Sequence, residues 1–158
     1  VVSVLNRPRH EQLMQEIRDA GAGTRLMSDG DVAGGINAAR HDARTDMCVG
    51  VGGSPEGIVT ACAIKALGGH IQGRLWPRDD DERQRGIDAG LDMDKVYEAD
   101  DLVQGNNTIF VATGVTDGQL VAGVRRERGY VYTESVVLRG ASGTLRRIAS
   151  EHLVSKWL

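Results

Sequence analysis

Three times in its opening third the chain passes from a short apolar stretch into a loop of charged residues and glycines, and then into a helix-like pattern. The loops are Asn6-Arg7-Pro8-Arg9-His10, Ser28-Asp29-Gly30-Asp31 and Gly52-Gly53-Ser54-Pro55-Glu56-Gly57. Strands that alternate with helices in this way pair in parallel, because each crossover returns the chain to the same end of the sheet. In an open sheet of that kind the strand-end loops gather at one edge, where ligands bind. Two arginines, two aspartates, a glycine-rich turn and a glutamate then face one crevice. That mixture suits a phosphorylated polyol held near a metal ion.

A chain of 158 residues, 41% hydrophobic and 26% charged, is long enough for one domain with a real core. Its net charge of −3 leaves no basic footprint for nucleic acid. No apolar run is long enough to span a membrane as a helix, and the start has no signal-peptide pattern. Cys48 falls in an apolar strand and Cys62 in a helix, which reads as buried free thiols in a reducing compartment. His10, His41, His70 and His152 show no metal-ligand spacing. These features together point to the cytoplasm. The chain also opens directly on a strand with no initiator Met, so the expectation is that further residues, up to a whole domain, precede it.

Along the chain, residues 1–5 and 24–27 read as strands. Between them Asn6 is placed to cap a helix, Pro8 fits its first turn, Leu13, Ile17 and Ala20 form its stripe, and Gly21 and Gly23 end it. Asp31 is placed to cap a helix over 32–40. Residues 47–51 read as a strand covered on both faces, followed by a helix that Gly68 and Gly69 stop. Residues 70–75 suggest a fourth strand, 78–89 a charged helix, and 108–113 another buried strand. The last third changes character: 129–138 and 144–151 read as antiparallel strands around a turn at 140–143. The expected fold is one α/β domain over residues 1–158. It has a mostly parallel sheet with helices on both faces and an antiparallel carboxyl-terminal addition.

The candidate site residues each have a bland alternative. Arg7 and Arg9 flank a stiffening proline and offer planar forks of donors suited to phosphate; they also read as solvated surface arginines. Asp29 and Asp31 can accept from vicinal sugar hydroxyls or hold a cation, or can serve only as a turn residue and a helix cap. Gly52 and Gly53 let backbone N–H groups approach an anion at a helix start. Glu56 can be a hard oxygen ligand or merely complement the helix dipole. Arg74, Trp76, Pro77 and Arg78 form a block that suits the site, a subunit contact, or a buried Trp with arginines around it. The stretch Thr113-Gly114-Val115-Thr116-Asp117-Gly118 reads as a turn or as a further strand-end loop. There is no P-loop and no dinucleotide fingerprint. One glutamate and two aspartates do not build a complete two-metal centre, so the chain reads as half of an active site.

Taken together the motifs are identifiable. Arg7-Pro8-Arg9-His10, Ser28-Asp29-Gly30-Asp31-Val32-Ala33-Gly34 and Gly52-Gly53-Ser54-Pro55-Glu56-Gly57 are followed by three more. These are Gly73-Arg74-Leu75-Trp76-Pro77-Arg78, Asp81-Glu82-Arg83-Gln84-Arg85 and Ala112-Thr113-Gly114-Val115-Thr116-Asp117-Gly118. In this order the chain resembles the carboxyl-terminal half of class II fructose-1,6-bisphosphatases, the bacterial GlpX type. The resemblance implies membership of the metal-dependent, inositol phosphatase-like sugar phosphatases, built as alternating α and β layers. It implies hydrolysis of the 1-phosphate of fructose 1,6-bisphosphate to fructose 6-phosphate in gluconeogenesis. The implied mechanism is in-line attack by a water activated by Mg²⁺ or Mn²⁺.

Carried over by motif, Arg7, Pro8 and Arg9 belong to the substrate site, with the arginines on the distal phosphate. Asp29, Gly30 and Asp31 bind the sugar, Gly53 lines the pocket and Glu56 is a metal ligand. Some members have lysine where this chain has Arg7. The family's other acidic ligands lie in an amino-terminal half, which becomes a required partner, and related enzymes assemble as dimers or tetramers. Two other readings stay open: a module that binds a sugar phosphate without hydrolysing it, and a nucleotide-binding α/β domain.

Overall fold

The computed structural model describes residues 1–156. Three strands, β1 (Val2–Leu5), β2 (Thr24–Met27) and β3 (Met47–Cys48), form a parallel sheet in the order β2-β1-β3. Val2 pairs with both Thr24 and Met47, and Leu5 pairs with Met27. β1 is therefore central, and Ser3, Val4 and Leu5 are all buried, so both of its faces are covered. The chain leaves β1 through a 3-10 turn (Pro8–His10) and α1 (Glu11–Asp19) to reach β2 on one side. It then crosses back through α2 (Asp31–Ala38) to β3 on the other side. Right-handed crossovers in opposite directions set α1 and α2 on opposite faces.

α3 (Ser54–Ala66) follows β3 and ends at Gly68, whose φ of +71° lets Gly68 and Gly69 bond back to Lys65 and Ile64. Then come β4 (Gln72–Gly73), α4 (Asp80–Asp88), β5 (Tyr97–Glu98) and the short α5 (Ala99–Leu102). β6 (Ile109–Thr113), β7 (Arg125–Glu127), β8 (Tyr130–Arg139) and β9 (Thr144–Leu153) form a second sheet, antiparallel throughout. α2 rests on β1 and β3, and on α3; α3 rests in turn on β6 and β8. The helix pair is thus a middle layer between two sheets. Its core joins Ile36 of α2, Ala63 and Ala66 of α3, and Phe110, Val136 and Leu138 of the second sheet. Ile36 and Leu138 are fully buried, worth about 2 kcal/mol each in apolar area removed from water.

The structure corrects the sequence expectation in four places. The sheet is not mostly parallel: only three strands pair that way, and six others pair antiparallel. Residues 108–113 read as another buried strand, yet β6 pairs with β8, because the α2–α3 layer separates it from β1. Only alternate residues of β6 face that layer. Phe110 is 6% exposed, while Ile109 and Val111 are 62% and 57% exposed on the far face. β3 is two residues long, not the five of 47–51, and Met47 is half exposed, because β3 is an edge strand. The fourth strand expected over 70–75 is only β4, paired with β5 in a separate ribbon. The carboxyl-terminal addition is as expected: β8 and β9 form a long hairpin around Gly140–Ser142. Among the described residues no helix is long and apolar enough to cross a membrane.

Candidate anion and metal site

Because β1, β2 and β3 run parallel, the loops that follow them emerge at the same edge, beside the starts of α1, α2 and α3. β1 and β3 are neighbours whose onward connections diverge, so the crevice opens between the loop of Arg7 and Arg9 and the loop of Gly52 and Gly53. The three loops are stitched to one another. Arg7 Nη1 donates to the Ser28 carbonyl at 2.8 Å and to that of Asn6 at 3.1 Å, tying the first loop to the second. Arg9 Nε and Nη2 both donate to the Val51 carbonyl, at 3.0 and 2.8 Å, tying the first loop to the third. Asp31 Oδ2 lies beside Gly52, which brings the second loop against the third. Pro8 opens the 3-10 turn and holds the two arginines on either side of it.

Asn6 does not cap a helix, as the sequence had suggested. Its N–H donates to the Met27 carbonyl, and the chain needs a 3-10 turn before α1 begins. Asp31 is likewise the first residue of α2 and not its cap. The cap is Gly30, at φ +85°, and Asp31 Oδ1 accepts from the Val32 N–H. Asp29 Oδ1 accepts from the Gly30 N–H and the residue is exposed at the turn. Neither aspartate is ion-paired among the described residues, so both keep carboxylate oxygen capacity toward the crevice. Burial, and then the nearby Asp31 charge, pushes the Cys48 thiol up, which keeps this half-buried sulfur protonated and inert.

α3 starts at the crevice with Gly53 as its cap, Pro55 in its first turn and no side chain bonding its first amides. Those amides and the dipole make an anion seat. Glu56 is exposed, and its carboxylate folds back over Gly53: a Cβ at position 53 would collide with Glu56 Oε2. A side chain at position 53 would push the flexible Glu56 carboxylate aside. A divalent cation is poorly served by a helix N-terminus alone, because the dipole repels it. Among the described residues no group of three or more His, Cys, Asp or Glu side chains is placed to hold a metal ion. Glu56 stands alone at this helix start as an exposed carboxylate.

The block at 74–78 is not a buried aromatic stack. Trp76 is 67% exposed and lines an open hollow with Arg74, Leu75, Arg83, Met93 and Asp94. The segment 113–118 is a loop laid on the second sheet, with Asp117 Oδ1 accepting from the Gly123 N–H. One functional-site contact has no counterpart in the sequence reading. His10 is buried and bonded at both ring nitrogens, to Leu5 and to Val51. Its partner Val51 lies 41 residues on, beyond any local signal.

The fold and the site define an α/β protein in which strand-end arginines and an uncapped helix start face one crevice. The chain belongs to the family of bacterial, glpX-encoded fructose-1,6-bisphosphatases, which residues 1–152 match. It is 39% identical to fructose-1,6-bisphosphatase class 2 of Haemophilus influenzae, over 96% of this chain and 49% of that protein. It is 40% identical to the D-fructose 1,6-bisphosphatase class 2/sedoheptulose 1,7-bisphosphatase of Trichodesmium erythraeum, over 97% of this chain and 48% of that protein. The protein of the same name from Synechococcus elongatus is 39% identical over the same shares. The chain spans about half the length of the curated relatives it matches.

Proposed function

We propose that this chain is the carboxyl-terminal, substrate-binding half of a phosphatase that removes the 1-phosphate of fructose 1,6-bisphosphate, leaving fructose 6-phosphate and phosphate. Arg7 and Arg9, held by Pro8, contact the distal phosphate. Asp29, Gly30 and Asp31 receive the sugar hydroxyls, Gly53 lines the pocket, and Glu56 is one ligand of Mg²⁺ or Mn²⁺. When bound, such a cation neutralises phosphoryl oxygens and activates the attacking water. The observation that carries the reading is the meeting of Arg7 and Arg9 with the uncapped start of α3 across one crevice. Each guanidinium spends only part of its fork on loop carbonyls, which leaves N–H groups for a phosphate.

The other half of the polypeptide supplies the remaining acidic ligands. It docks against the outer face of the second sheet, where Ile109, Val111 and Ile148 are exposed on one side. The assembled enzyme is a cytoplasmic homo-oligomer, a dimer or tetramer, acting in gluconeogenesis. Sedoheptulose 1,7-bisphosphate, which presents the same phosphate and polyol groups, is a second candidate substrate.

A non-catalytic sugar-phosphate module is the alternative. The absence of a three-residue metal group among the described residues favours it for the chain alone. Phosphate release from fructose 1,6-bisphosphate, with and without Mg²⁺ or Mn²⁺, separates the two. Activity only in the full-length polypeptide, and only with metal, is the expected result. Binding without hydrolysis by the full-length polypeptide would replace the enzyme reading with the sensor.

A further inference from the structure

The imidazole of His10 stands where a hydrogen bond of the parallel sheet ought to be. Beyond β3 the pairing continues once more, with the Val49 N–H donating to the Ser3 carbonyl at 3.0 Å. The next bond donated from this side of a regular ladder would run from the Val51 N–H to the Leu5 carbonyl. Instead the two groups part and the ring fills the gap: Nδ1 lies 2.9 Å from the Leu5 oxygen, and Nε2 accepts from the Val51 N–H at 2.9 Å. Leu5 can only accept and Val51 can only donate, so the ring is the neutral tautomer with its proton on Nδ1. His10 is 1% exposed, and its Cε1 would stand 3.0 Å from a Cβ at Gly50, so the loop packs closely against the ring there.

We infer that His10 is a positioning residue for substrate binding. It spreads β1 and β3 by the width of an imidazole, and so sets the mouth of the crevice. The same ring that takes the Val51 N–H fixes the Val51 carbonyl on which Arg9 rests. One residue earlier in the chain than His10, Arg9 reaches that carbonyl from the first loop, so both loops are held in one register. The ring touches no phosphate seat itself and acts through Val51. This inference rests on the proposed reading of the crevice as a sugar-bisphosphate site.

Two substitutions divide the contact. Asn at position 10 returns the N–H toward the Leu5 oxygen but leaves the Val51 N–H without its acceptor. Gln returns an acceptor toward Val51 and gives up the Leu5 bond. In the full-length polypeptide, His10→Asn is expected to raise the Michaelis constant for fructose 1,6-bisphosphate about tenfold with turnover nearly unchanged, the effect of one buried donor left unpaired. His10→Gln is expected to restore most of it. Hydrogen exchange at the Val51 amide gives a second readout, fast in the Asn variant and slow in the Gln variant. Should the Asn variant fold too poorly for kinetics, this amide in the wild type and the Gln variant decides. Equal Michaelis constants in all three proteins, or a Val51 amide that exchanges freely in the wild type, overturn the role of His10 alone. A wild-type protein that neither hydrolyses nor binds the bisphosphate overturns the functional reading, and this inference with it.

Discussion

Arg9 places Nε and Nη2 on a single acceptor, the carbonyl oxygen of Val51, at 3.0 and 2.8 Å. The side chain of the first loop is thereby anchored to the third, although 42 residues separate them. The guanidinium plane is oriented before any ligand arrives, which lowers the entropy lost when a phosphate binds.

Arg9→Ala therefore removes both the proposed phosphate contact and a strut between loops. Steady-state kinetics of the full-length polypeptide should show a Michaelis constant raised roughly ten- to hundredfold, with a much smaller fall in turnover, from about 1.5–3 kcal/mol of lost charge-assisted bonding. Arg9→Lys keeps the charge and loses the forked grip on Val51, so it should recover only part of the loss. A normal Michaelis constant in Arg9→Ala would remove this residue from the substrate site.

Glu56 and Gly53 form a second testable pair. Glu56→Gln should weaken binding of Mn²⁺, read by calorimetry, and shift metal activation to higher concentration while thermal stability changes little, because the carboxylate is exposed. Gly53→Ala leaves an extended cap conformation, φ −72° and ψ 146°, that alanine adopts freely. Its methyl group instead displaces the Glu56 carboxylate. The two substitutions should thus be non-additive in metal affinity. Independent, additive losses would mean that Glu56 does not hold the metal from its place over Gly53.

The start of α4 gives a pH signature remote from the crevice. Glu82 accepts from the Arg78 backbone N–H at 2.7 Å and from Arg78 Nε at 3.2 Å, which holds its carboxyl below its ordinary value of 4.5. A lowered folded-state value stabilises above the unfolded value, and that stabilisation is lost as pH falls through the lowered one. Glu82→Gln should lower the melting temperature slightly at neutral pH, and the gap should close as pH falls below the ordinary carboxylate range. A gap that persists in acid would assign the effect to packing and not to charge.

Much of this was legible from neighbouring residues. The strand Thr24–Met27 coincides with its expectation, and Gly21 and Gly68 end helices at positive φ where the sequence put them. The charged helix after Arg78 begins at Asp80, with Asp79 capping it by accepting from the Glu82 N–H. The three strand-end loops do meet at one edge, since parallel pairing leaves them no other place. What failed was the partner of the strand at 108–113. An apolar run such as 109–113 reads alike in either sheet, and only the α2–α3 layer between the sheets assigned it to the second.

The sequence by itself determined the kinds of groups at the crevice and the ends of most helices, because caps, turns and helix periods are settled by residues within about four positions of each other. Tertiary structure alone decided what those groups do to one another. It put Arg7 on the Ser28 carbonyl, Arg9 on the Val51 carbonyl, and the His10 ring between Leu5 and Val51. Each of those acceptors or donors is a backbone group, present at every residue and carrying no mark of its own in the sequence. Only the fold brings a particular one within hydrogen-bond reach.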